Sequence, residues 1–419
     1  MPGLSGAAAL AALFAPVAGR AVLGLAVSGG GDSLALMLLA ARWARALATP
    51  PRLIVYTLDH RLRPEAAAEA AFVVETAAGL GLAARALRWP GAKPASGVQA
   101  AARAARYRLI GAAMQADGAE LLLTAHHRDD QAETVLMRLA HGSGLEGLRG
   151  MARFADVEGV PVFRPLLEVA PAELRALVEA AGLIPVRDPS NFDRHYERVR
   201  WREALPGLAA LGLDAARLAQ FAGRAGEADA ALEQWAANSL AELVAVDALG
   251  AAQLPAARFA ALPRAVGVKL LSRVLALAGG GQRPRALGPV ERLATRLAAG
   301  APLAAVTVLG TRISQRGGTL WFVREAGRQA GSPAVLQPAA TLFWDRRFRI
   351  TNHSSGAFEV RMAREFSRQA AERLVGARIV SPASAIRSAP LVSGAGGEVL
   401  ALGTYRLSES VAIEMASSA

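Results

Sequence analysis

Apolar residues in the first third of the chain form short runs, and longer stretches with helical spacing separate these runs. The runs that predict buried strands are residues 23–27, 53–58, 83–89 and 121–124. The predicted helices are residues 7–19, a helix that begins near Asp32, residues 64–79 and residues 98–116. Strands that alternate with helices predict the α/β class with a doubly wound parallel sheet, whose ligands bind outside the carboxyl ends of the strands.

The pattern changes near residue 205, where a Leu-Pro-Gly sequence is expected to end the sheet domain. Residues 208–297 are rich in alanine and leucine and predict helices, including 227–243 and 289–297. Residues 306–309 and 320–323 predict a hairpin, 327–338 a linker, and residues from 342 a small mixed domain. The predicted domains are a sheet domain over 1–205, a mainly helical domain over 206–327 and a small α+β domain over 339–419.

Composition narrows the class of protein. The chain has 419 residues, enough for two or three domains, and it has no cysteine. Disulfides, thiolate metal sites, iron–sulfur clusters and cysteine nucleophiles are therefore excluded. The net charge of +12 favours a polyanionic partner, although solubility or a GC-rich genome, which enriches arginine, would also account for it. No apolar run is long enough to span a membrane, and no basic residue precedes 7–19 as in a signal peptide, so we expect a cytoplasmic protein.

A glycine-rich turn joins the first predicted strand to its helix. The turn consists of Ser28, Gly29, Gly30, Gly31, Asp32 and Ser33. Glycines let backbone amides approach an anion closely, the serines add hydroxyl groups, and Ser33 is expected to cap the helix. The turn lacks the lysine of a Walker A loop. A carboxylate at Asp32 beside a polyphosphate indicates a bound Mg²⁺; the alternative is a turn without a ligand.

A second polar group follows the fourth predicted strand. It contains His126, His127, Asp129, Asp130 and Glu133 at the start of a predicted helix. Helical spacing places Asp130 and Glu133 on one side. Such a group could hold Mg²⁺ through water, orient a nucleophile or accept its proton, whereas acidic residues in a first turn also simply complement the helix dipole. Adjacent histidines cannot point the same way along an extended segment, which disfavours a permanent zinc site.

Residues 28–33 resemble the S-G-G-x-D-S loop of the PP-loop ATP pyrophosphatases. Residues 126–134 are similar to the H-H-x-D-D-Q-x-E-T motif of the tRNA-modifying members, which include the tRNA(Ile)-lysidine synthases and the tRNA cytidine thiolases. The thiolases depend on cysteines, which this chain lacks. Further similarities favour the lysidine synthase family over about residues 20–205, and they lie at residues 58–64, 102–107, 142–151, 164–167 and 188–191.

The resemblance implies a ligase that uses ATP and Mg²⁺ to adenylate the wobble cytidine of tRNA(Ile) with anticodon CAU, so that lysine displaces AMP and lysidine forms. It implies that residues 1–205 are catalytic and that 206–327 bind tRNA. The implied ATP-binding residues are Ser28, Gly29, Gly30, Gly31, Asp32 and Ser33, with Asp32 also as metal ligand. The implied catalytic residues are Asp32, Asp129, Asp130 and Glu133, with Asp130 as the main site for the incoming ammonium group or its proton. The implied substrate-binding residues are Arg106, His127, Arg198 and Arg200.

The chain departs from the family pattern at two positions, and two other functions remain as alternatives. His141 and Val199 stand where the family usually has arginine and asparagine. Arg106 could instead lie on a solvated helix face, and Arg198, Arg200 and Arg202 could form an ordinary basic surface rather than close over ATP or RNA. The rival functions are a PP-loop enzyme acting on another tRNA or a small molecule, and an inactive RNA-binding protein that keeps the fold.

Overall fold

The computed structural model describes most of the chain. Residues outside the description are 1–3, 5, 63, 92, 95, 187–192, 282–286, 301–302, 328–330 and 417–419. Arg63 and the motif predicted at 188–191 therefore lie outside the described residues. Contacts divide the chain into two units, Met1–Asp229 and Ala230–Ala419. The domain limits expected at residues 205, 327 and 339 stay predictions.

A six-stranded sheet forms the centre of the first unit. Its strands are β1 (Val22–Ala26), β2 (Arg52–Asp59), β3 (Ala83–Arg88), β4 (Leu121–Leu123), β5 (Phe154–Val157) and β6 (Val160–Phe163). The order is β3-β2-β1-β4-β6-β5, and every neighbouring pair is parallel except β5 with β6. The predicted parallel α/β fold is confirmed. Because the chain order reverses between β1 and β4, the crevice for a ligand is expected there.

The helices of the first unit cover both faces of this sheet. They are α1 (Ala7–Phe14), α2 (Gly31–Arg45), α3 (Ala66–Gly79), α4 (Val98–Asp117), α5 (Arg128–Ala140), α6 (Leu145–Leu148), α7 (Pro171–Ala180), α8 (Glu197–Ala210) and α9 (Ala215–Leu243), which continues past the unit boundary. Leu23 and Leu25 of β1 are fully buried in one core with α2, whereas Tyr56 and Ile110 belong to a core on the other face. Burial on both faces explains why the strands read as continuous apolar runs.

Pro206 belongs to the Leu-Pro-Gly sequence that was expected to end the sheet domain. It lies inside α8, which continues to Ala210. A proline within a helix removes one hydrogen bond and costs about 3 kcal/mol. Leu205 of α8 is buried against Val135 and Leu136 of α5, in a cluster that Leu208 also joins. This packing offsets the cost, so tertiary contacts override the local signal.

The second unit contains more strand than the sequence pattern indicated. Its helices are α10 (Ala256–Ala260), α11 (Arg264–Gly279), α12 (Gly288–Ala298), α13 (Arg368–Val375) and α14 (Ala383–Ser388). Its strands are β7 (Ala245–Val246), β8 (Ala252–Pro255), β9 (Val306–Val308), β10 (Thr311–Arg316), β11 (Thr319–Arg324), β12 (Ala334–Leu336), β13 (Thr341–Trp344), β14 (Phe348–Asn352), β15 (Phe358–Met362), β16 (Pro390–Ser393), β17 (Val399–Leu402), β18 (Tyr405–Arg406) and β19 (Val411–Met415). They form three sheets, ordered β7-β8-β11-β10-β9, β12-β15-β16-β17-β18 and β13-β14-β19.

Two local predictions in this unit were wrong. The hairpin at Gly317-Gly318 joins β10 to β11, and residues 306–308 pair with β10 instead of with β11. β10 escaped prediction because only Ile313 among its residues is a large apolar side chain. The predicted linker contains β12, which pairs with β15 and places Leu336 in a small core.

Candidate active site

The loop after β1 turns directly into α2. Gly30 is the residue before the first helical turn, so Ser33 is not the N-cap that we predicted but the third residue of the helix. The Ser33 hydroxyl donates to the Gly30 carbonyl at 2.9 Å and accepts from the Ser28 amide at 3.2 Å. These two bonds close the loop on itself. The first-turn amides of an α-helix have no acceptor within it, so they are free to bind an anion at this end of the sheet.

Gly29 is the residue that the loop geometry requires to be glycine. Its φ is +86°, a left-handed conformation that other residues rarely adopt, and an added Cβ would lie 2.9 Å from Val186 Cγ2. The Val186 amide donates to the Gly29 carbonyl at 3.0 Å. Gly30, by contrast, has an ordinary φ of −69°, and its nearest obstacle would be Ser28 Oγ at 3.7 Å.

The loop after β4 lies beside it and holds a half-buried, neutral histidine. His126 Nδ1 is 2.9 Å from the Thr124 hydroxyl. Burial removes the imidazolium from water and is the main reason that the pKa of His126 falls from 6.5 to about 4. The charge of Asp130 raises this pKa, and the charges of Arg164, Arg198 and Arg103 lower it. At neutral pH this ring therefore carries no charge and can act only as a hydrogen-bonding group.

His127 links the two loops. It caps α5: its Nδ1 accepts from the Asp130 amide at 3.3 Å, and the Asp130 carboxylate accepts from the His127 amide at 3.0 Å. Its Nε2 faces Asp32, with Oδ2 at 3.5 Å. Burial alone would lower the pKa of His127, but the hydrogen bond that the ring donates to Asp32 and the charges of Asp130, Asp32 and Asp129 outweigh burial and raise it.

Asp130 is a carboxylate held between Arg198 and His127. Arg198 donates from Nη2 to Asp130 Oδ1 at 3.1 Å, and His127 Nε2 lies 3.6 Å from Oδ2. Burial would raise the pKa of Asp130, but the charges of His127 and Arg198 and the backbone hydrogen bond outweigh burial and lower it. Asp130 is therefore ionised at neutral pH and already has partners on both oxygens.

Glu133 lies on the same side of α5 as Asp130, as the helical spacing predicted, but it is fully buried. Arg198 Nε donates to Glu133 Oε2 at 2.6 Å, and Arg202 donates from Nε to Oε1 at 2.6 Å and from Nη2 to Oε2 at 3.2 Å. One carboxylate of α5 thus binds two arginines of α8. Because residues 198 and 202 are four apart, both guanidinium groups lie on the face of α8 that meets α5.

The structure brings together some of the predicted site residues and separates others. Residues 28–33, His127, Asp130, Glu133 and Arg198 form one connected group. Asp129 is half-buried in the first turn of α5. Arg200 points away, since its Nη1 donates to the carbonyls of Arg194 and His195 at 3.0 Å each. Arg106 is an exposed residue of α4 whose Nη2 lies 3.3 Å from His60 Nε2.

Two supporting residues were missed by the sequence analysis. Thr124 orients His126, and a hydroxyl two residues before a histidine at a strand end was a usable signal. Val186 supports Gly29, but no local pattern indicates a contact between residues so far apart in the chain.

The donor groups of the site suit Mg²⁺ only in company with a polyphosphate. The Asp32 side chain is 46% exposed beside the glycine loop. Within the described ranges no cluster of three or more His, Asp or Glu residues could hold a metal ion. Mg²⁺ commonly uses one or two carboxylates and completes its coordination with phosphate oxygens and water. One accessible carboxylate next to an anion-binding helix end fits that pattern.

Among the residues that the structure describes, no helix is both long and apolar enough to cross a membrane.

Comparison with known proteins agrees with this geometry. A family model described as a PP-loop domain matches residues 5–208. A tRNA(Ile)-lysidine synthase of Rhodopseudomonas palustris is 48% identical over 323 residues, which span 74% of this chain and 92% of that protein. A tRNA(Ile)-lysidine synthase of Bradyrhizobium diazoefficiens is 46% identical over 346 residues, which span 76% of this chain and 96% of that protein.

A solved structure of the U34-tRNA thiolase NcsA from Methanococcus maripaludis, with its [4Fe-4S] cluster, aligns with a TM-score of 0.45 and 16% identity, covering 51% of this chain and 76% of that one. That similarity is too weak to show a relationship. The two lysidine synthases do show one, because their sequence identity to this chain is high and extends over nearly their whole length. The resemblance predicted from the motifs is confirmed: the chain has a PP-loop domain and belongs to the tRNA(Ile)-lysidine synthase family.

Proposed function

We propose that this chain ligates lysine to C2 of the wobble cytidine in tRNA(Ile) with anticodon CAU, with conversion of ATP to AMP and pyrophosphate. The observation that carries the proposal is the 48% identity to a tRNA(Ile)-lysidine synthase over 92% of that protein. In the first step, cytosine O2 attacks the α-phosphorus and pyrophosphate leaves. In the second, the lysine ε-amine forms a bond to C2, the C2–O2 bond breaks, AMP leaves with O2, and the amine loses a proton.

The loop at residues 28–33 is the proposed phosphate site. Gly29 and the cap at Gly30 aim the first amides of α2 at the crevice between β1 and β4. Their partial positive charge stabilises the triphosphate and the charge that grows on the departing pyrophosphate. The hydroxyl of Ser28 is exposed next to these amides, whereas Ser33 is buried and serves mainly to close the loop.

Asp32 is the residue that would hold Mg²⁺. When bound, the ion would neutralise charge on the pyrophosphate group. The contact from His127 Nε2 keeps the Asp32 carboxylate oriented toward the crevice, at 3.5 Å. His127 thus joins the phosphate side of the site to Asp130.

The lysine side of the site is proposed to use Asp129 and Asp130. Asp130 is ionised and lies in the crevice, which suits the binding of an ammonium group before it loses its proton. Asp129 adds negative charge one residue away. Glu133 is enclosed by Arg198 and Arg202, so we assign it to positioning: it holds Arg198 against Asp130. Displacement of Arg198 by the incoming amine would free one Asp130 oxygen.

The remaining substrate contacts are also proposals. Arg198 and Arg106 are placed to meet phosphate or RNA from α8 and α4, and Arg200 is held outward by its own backbone contacts. Lysine and tRNA(Ile) are the proposed partners, and cytoplasmic location, where both are found together, is part of the proposal. A PP-loop enzyme for a small molecule is not favoured, because the full-length relatives carry a tRNA name.

Incubation with ATP, radiolabelled lysine and tRNA(Ile) bearing the CAU anticodon tests the proposal. We expect label in the tRNA with the unaltered chain and none above background with Asp32→Ala, while tRNA affinity stays within about twofold because Asp32 faces the nucleotide. Absence of label with the unaltered chain would overturn the proposed function. Full incorporation by Asp32→Ala would overturn the role of the loop.

A further inference from the structure

A basic cavity of about 380 Å³ lies in the second unit. We call it the arginine pocket. Its floor comes from β9 and β10 and one wall comes from α14. The residues that define it here are Thr307, Arg312, Ser314, Arg316, Ser384 and Arg387. Four of them fall in residues 206–327, the range expected to bind tRNA, but the proposed function gives no individual role to any of the six.

The floor of the pocket follows from the alternation of β10. Arg312, Ser314 and Arg316 are two residues apart and therefore point to one face of the strand, whereas Ile313 points to the other and is fully buried. Thr307 of β9 pairs directly with Arg312 and shares its face. Arg312 and Arg316 are separated by roughly 13 Å along the strand, so the column can contact more than one phosphate group of an extended ligand.

The wall of the pocket is a short helix with one face in the core. Ala385 and Ile386 of α14 are fully buried together with Trp321 of β11. Arg387 is exposed, and with Ser384 it lines the cavity. Cationic and hydroxyl groups therefore reach the cavity from two separate elements, a strand and a helix.

A buried ionic network ties these elements together. Asp345 accepts from Arg324 Nε at 3.1 Å and Nη2 at 3.0 Å, and from Arg347 Nε at 3.0 Å. Arg347 is itself buried and donates from Nη2 to the Ser388 carbonyl at 2.7 Å, at the end of α14. The network connects the end of β11 to the helix that carries Arg387. The walls of the pocket are therefore held in place before any ligand binds.

The charge of the pocket is unbalanced. In the described part of the chain, no hydrogen bond or ion pair joins the guanidinium groups of Arg312, Arg316 or Arg387 to another residue, and Glu325 is the acidic residue among those lining the cavity. Arginine presents several donors in a planar fork that matches the oxygens of a phosphate group, and serine and threonine hydroxyls add further donors. Three guanidinium groups without an ion-pair partner around one cavity favour the binding of an anion.

We propose that the arginine pocket is a phosphate-binding site. The phosphate can belong to the backbone of an RNA or to a small phosphorylated compound, and both would make the same contacts with the three arginines. If the phosphate belongs to RNA, the inference rests on the proposed function, because the RNA would be the substrate. If the phosphate belongs to a small compound, the inference does not depend on the proposed function.

The RNA source is tested by fluorescence anisotropy with labelled tRNA(Ile) transcript and the full chain. We expect Arg312→Gln and Arg387→Gln each to weaken binding about five- to tenfold at near-physiological salt, as the loss of one charge-assisted contact does. The slope of log affinity against log salt should fall by about 1 for each lost contact. Arg364→Gln is the matched control, since Arg364 is exposed in the same unit but does not line the pocket, and its affinity should stay within about twofold.

The small-phosphate source is tested by hydrogen–deuterium exchange of the same proteins with inorganic phosphate at constant ionic strength. We expect phosphate to slow exchange in peptides covering residues 383–388 of the unaltered chain and the Arg364→Gln variant, but not of Arg387→Gln. This readout is local to the pocket, so binding of phosphate at residues 28–33 does not interfere with it.

The outcomes separate the two proposals of this article. Weaker RNA binding by the pocket variants supports the site and identifies RNA as its source. Unchanged RNA affinity with phosphate protection of α14 supports the site for a small phosphate. If neither change occurs, the pocket does not bind phosphate, even where lysine incorporation is normal. If the pocket variants lose RNA affinity but the unaltered chain incorporates no lysine, only the proposed function fails.

Discussion

Two adjacent glycines in the loop at residues 28–33 differ in what they tolerate. Gly29 has a positive φ and is crowded by Val186, whereas Gly30 has an ordinary φ and open space. We expect Gly29→Ala to cost about 1–3 kcal/mol of local strain and to weaken ATP binding at least about tenfold, because the amides of the loop must move. Calorimetric titration with ATP measures the affinity.

Gly30→Ala is the control for this prediction. Its new methyl group would lie near Ser28 Oγ at 3.7 Å, which is ordinary contact. We expect the thermal unfolding midpoint to match that of the unaltered chain. Equal ATP affinity for Gly29→Ala and the unaltered chain would show that the strained turn does not position the phosphate site.

His126 makes stability depend on pH in a defined window. Its folded-state pKa is about 4, below the ordinary 6.5, because burial disfavours the imidazolium. Between these values the unfolded chain binds a proton that the folded chain does not, so the stability present above pH 6.5 is lost as the pH falls. We expect a contribution of up to about 1.4 kcal/mol per pH unit within that window. Urea unfolding at several pH values measures it.

His126→Asn is the comparison that isolates this residue. An amide retains a hydrogen-bonding group near Thr124 and cannot titrate. The variant should show a shallower pH dependence between about pH 4 and pH 6.5, since other groups titrate equally in both proteins. Parallel pH profiles for the two proteins would contradict the assignment of a neutral His126 in the folded chain.

At the scale of secondary-structure elements, Glu133 joins α5 to α8. It is fully buried, and its partners Arg198 and Arg202 are 37% and 46% exposed. We expect Glu133→Gln to lower the free energy of unfolding by about 2 kcal/mol, less than for a wholly buried pair because water solvates the released arginines. We also expect lysine incorporation to fall about tenfold as Arg198 loses its position. Urea unfolding and the labelling assay measure the two effects.

Glu203→Gln on α8 is a matched control. Its ion pair with Arg194 is exposed on both sides, so its loss should cost less than about 0.5 kcal/mol and leave incorporation unchanged. Equal effects of the two substitutions would mean that the buried carboxylate does not organise the α5–α8 contact.

For the molecule as a whole, the net charge of +12 makes RNA affinity sensitive to salt. Each neutralised phosphate releases counterions, so affinity falls as salt rises. We expect tRNA(Ile) binding to weaken at least about tenfold between roughly 50 and 200 mM salt. A PP-loop enzyme acting on a small molecule would show no such RNA affinity. Anisotropy titrations over this salt range measure the effect, and a flat profile would contradict an RNA substrate.

The sequence by itself determined the class of the first unit and the location of its site. The strands 22–26, 52–59 and 121–123 were predicted within two residues, because burial on both faces leaves a continuous apolar run that few other structures explain. The glycine loop and the polar residues of α5 each follow a predicted parallel strand, at the edge of the sheet where ligands bind. These signals are local, so they survive in the linear sequence.

Only the tertiary structure decided which contacts each charged residue of the candidate site makes. Asp130 and Glu133 look alike in sequence, yet Asp130 is shared between His127 and Arg198, whereas Glu133 is fully buried and binds both Arg198 and Arg202, from a helix about 65 positions away. Pro206 stays in α8 because Leu205 is buried against α5, and polar β10 becomes a strand because β9 and β11 pair with it. Such outcomes depend on partners distant along the chain, whose burial and charge set the energy of a residue more strongly than its neighbours do.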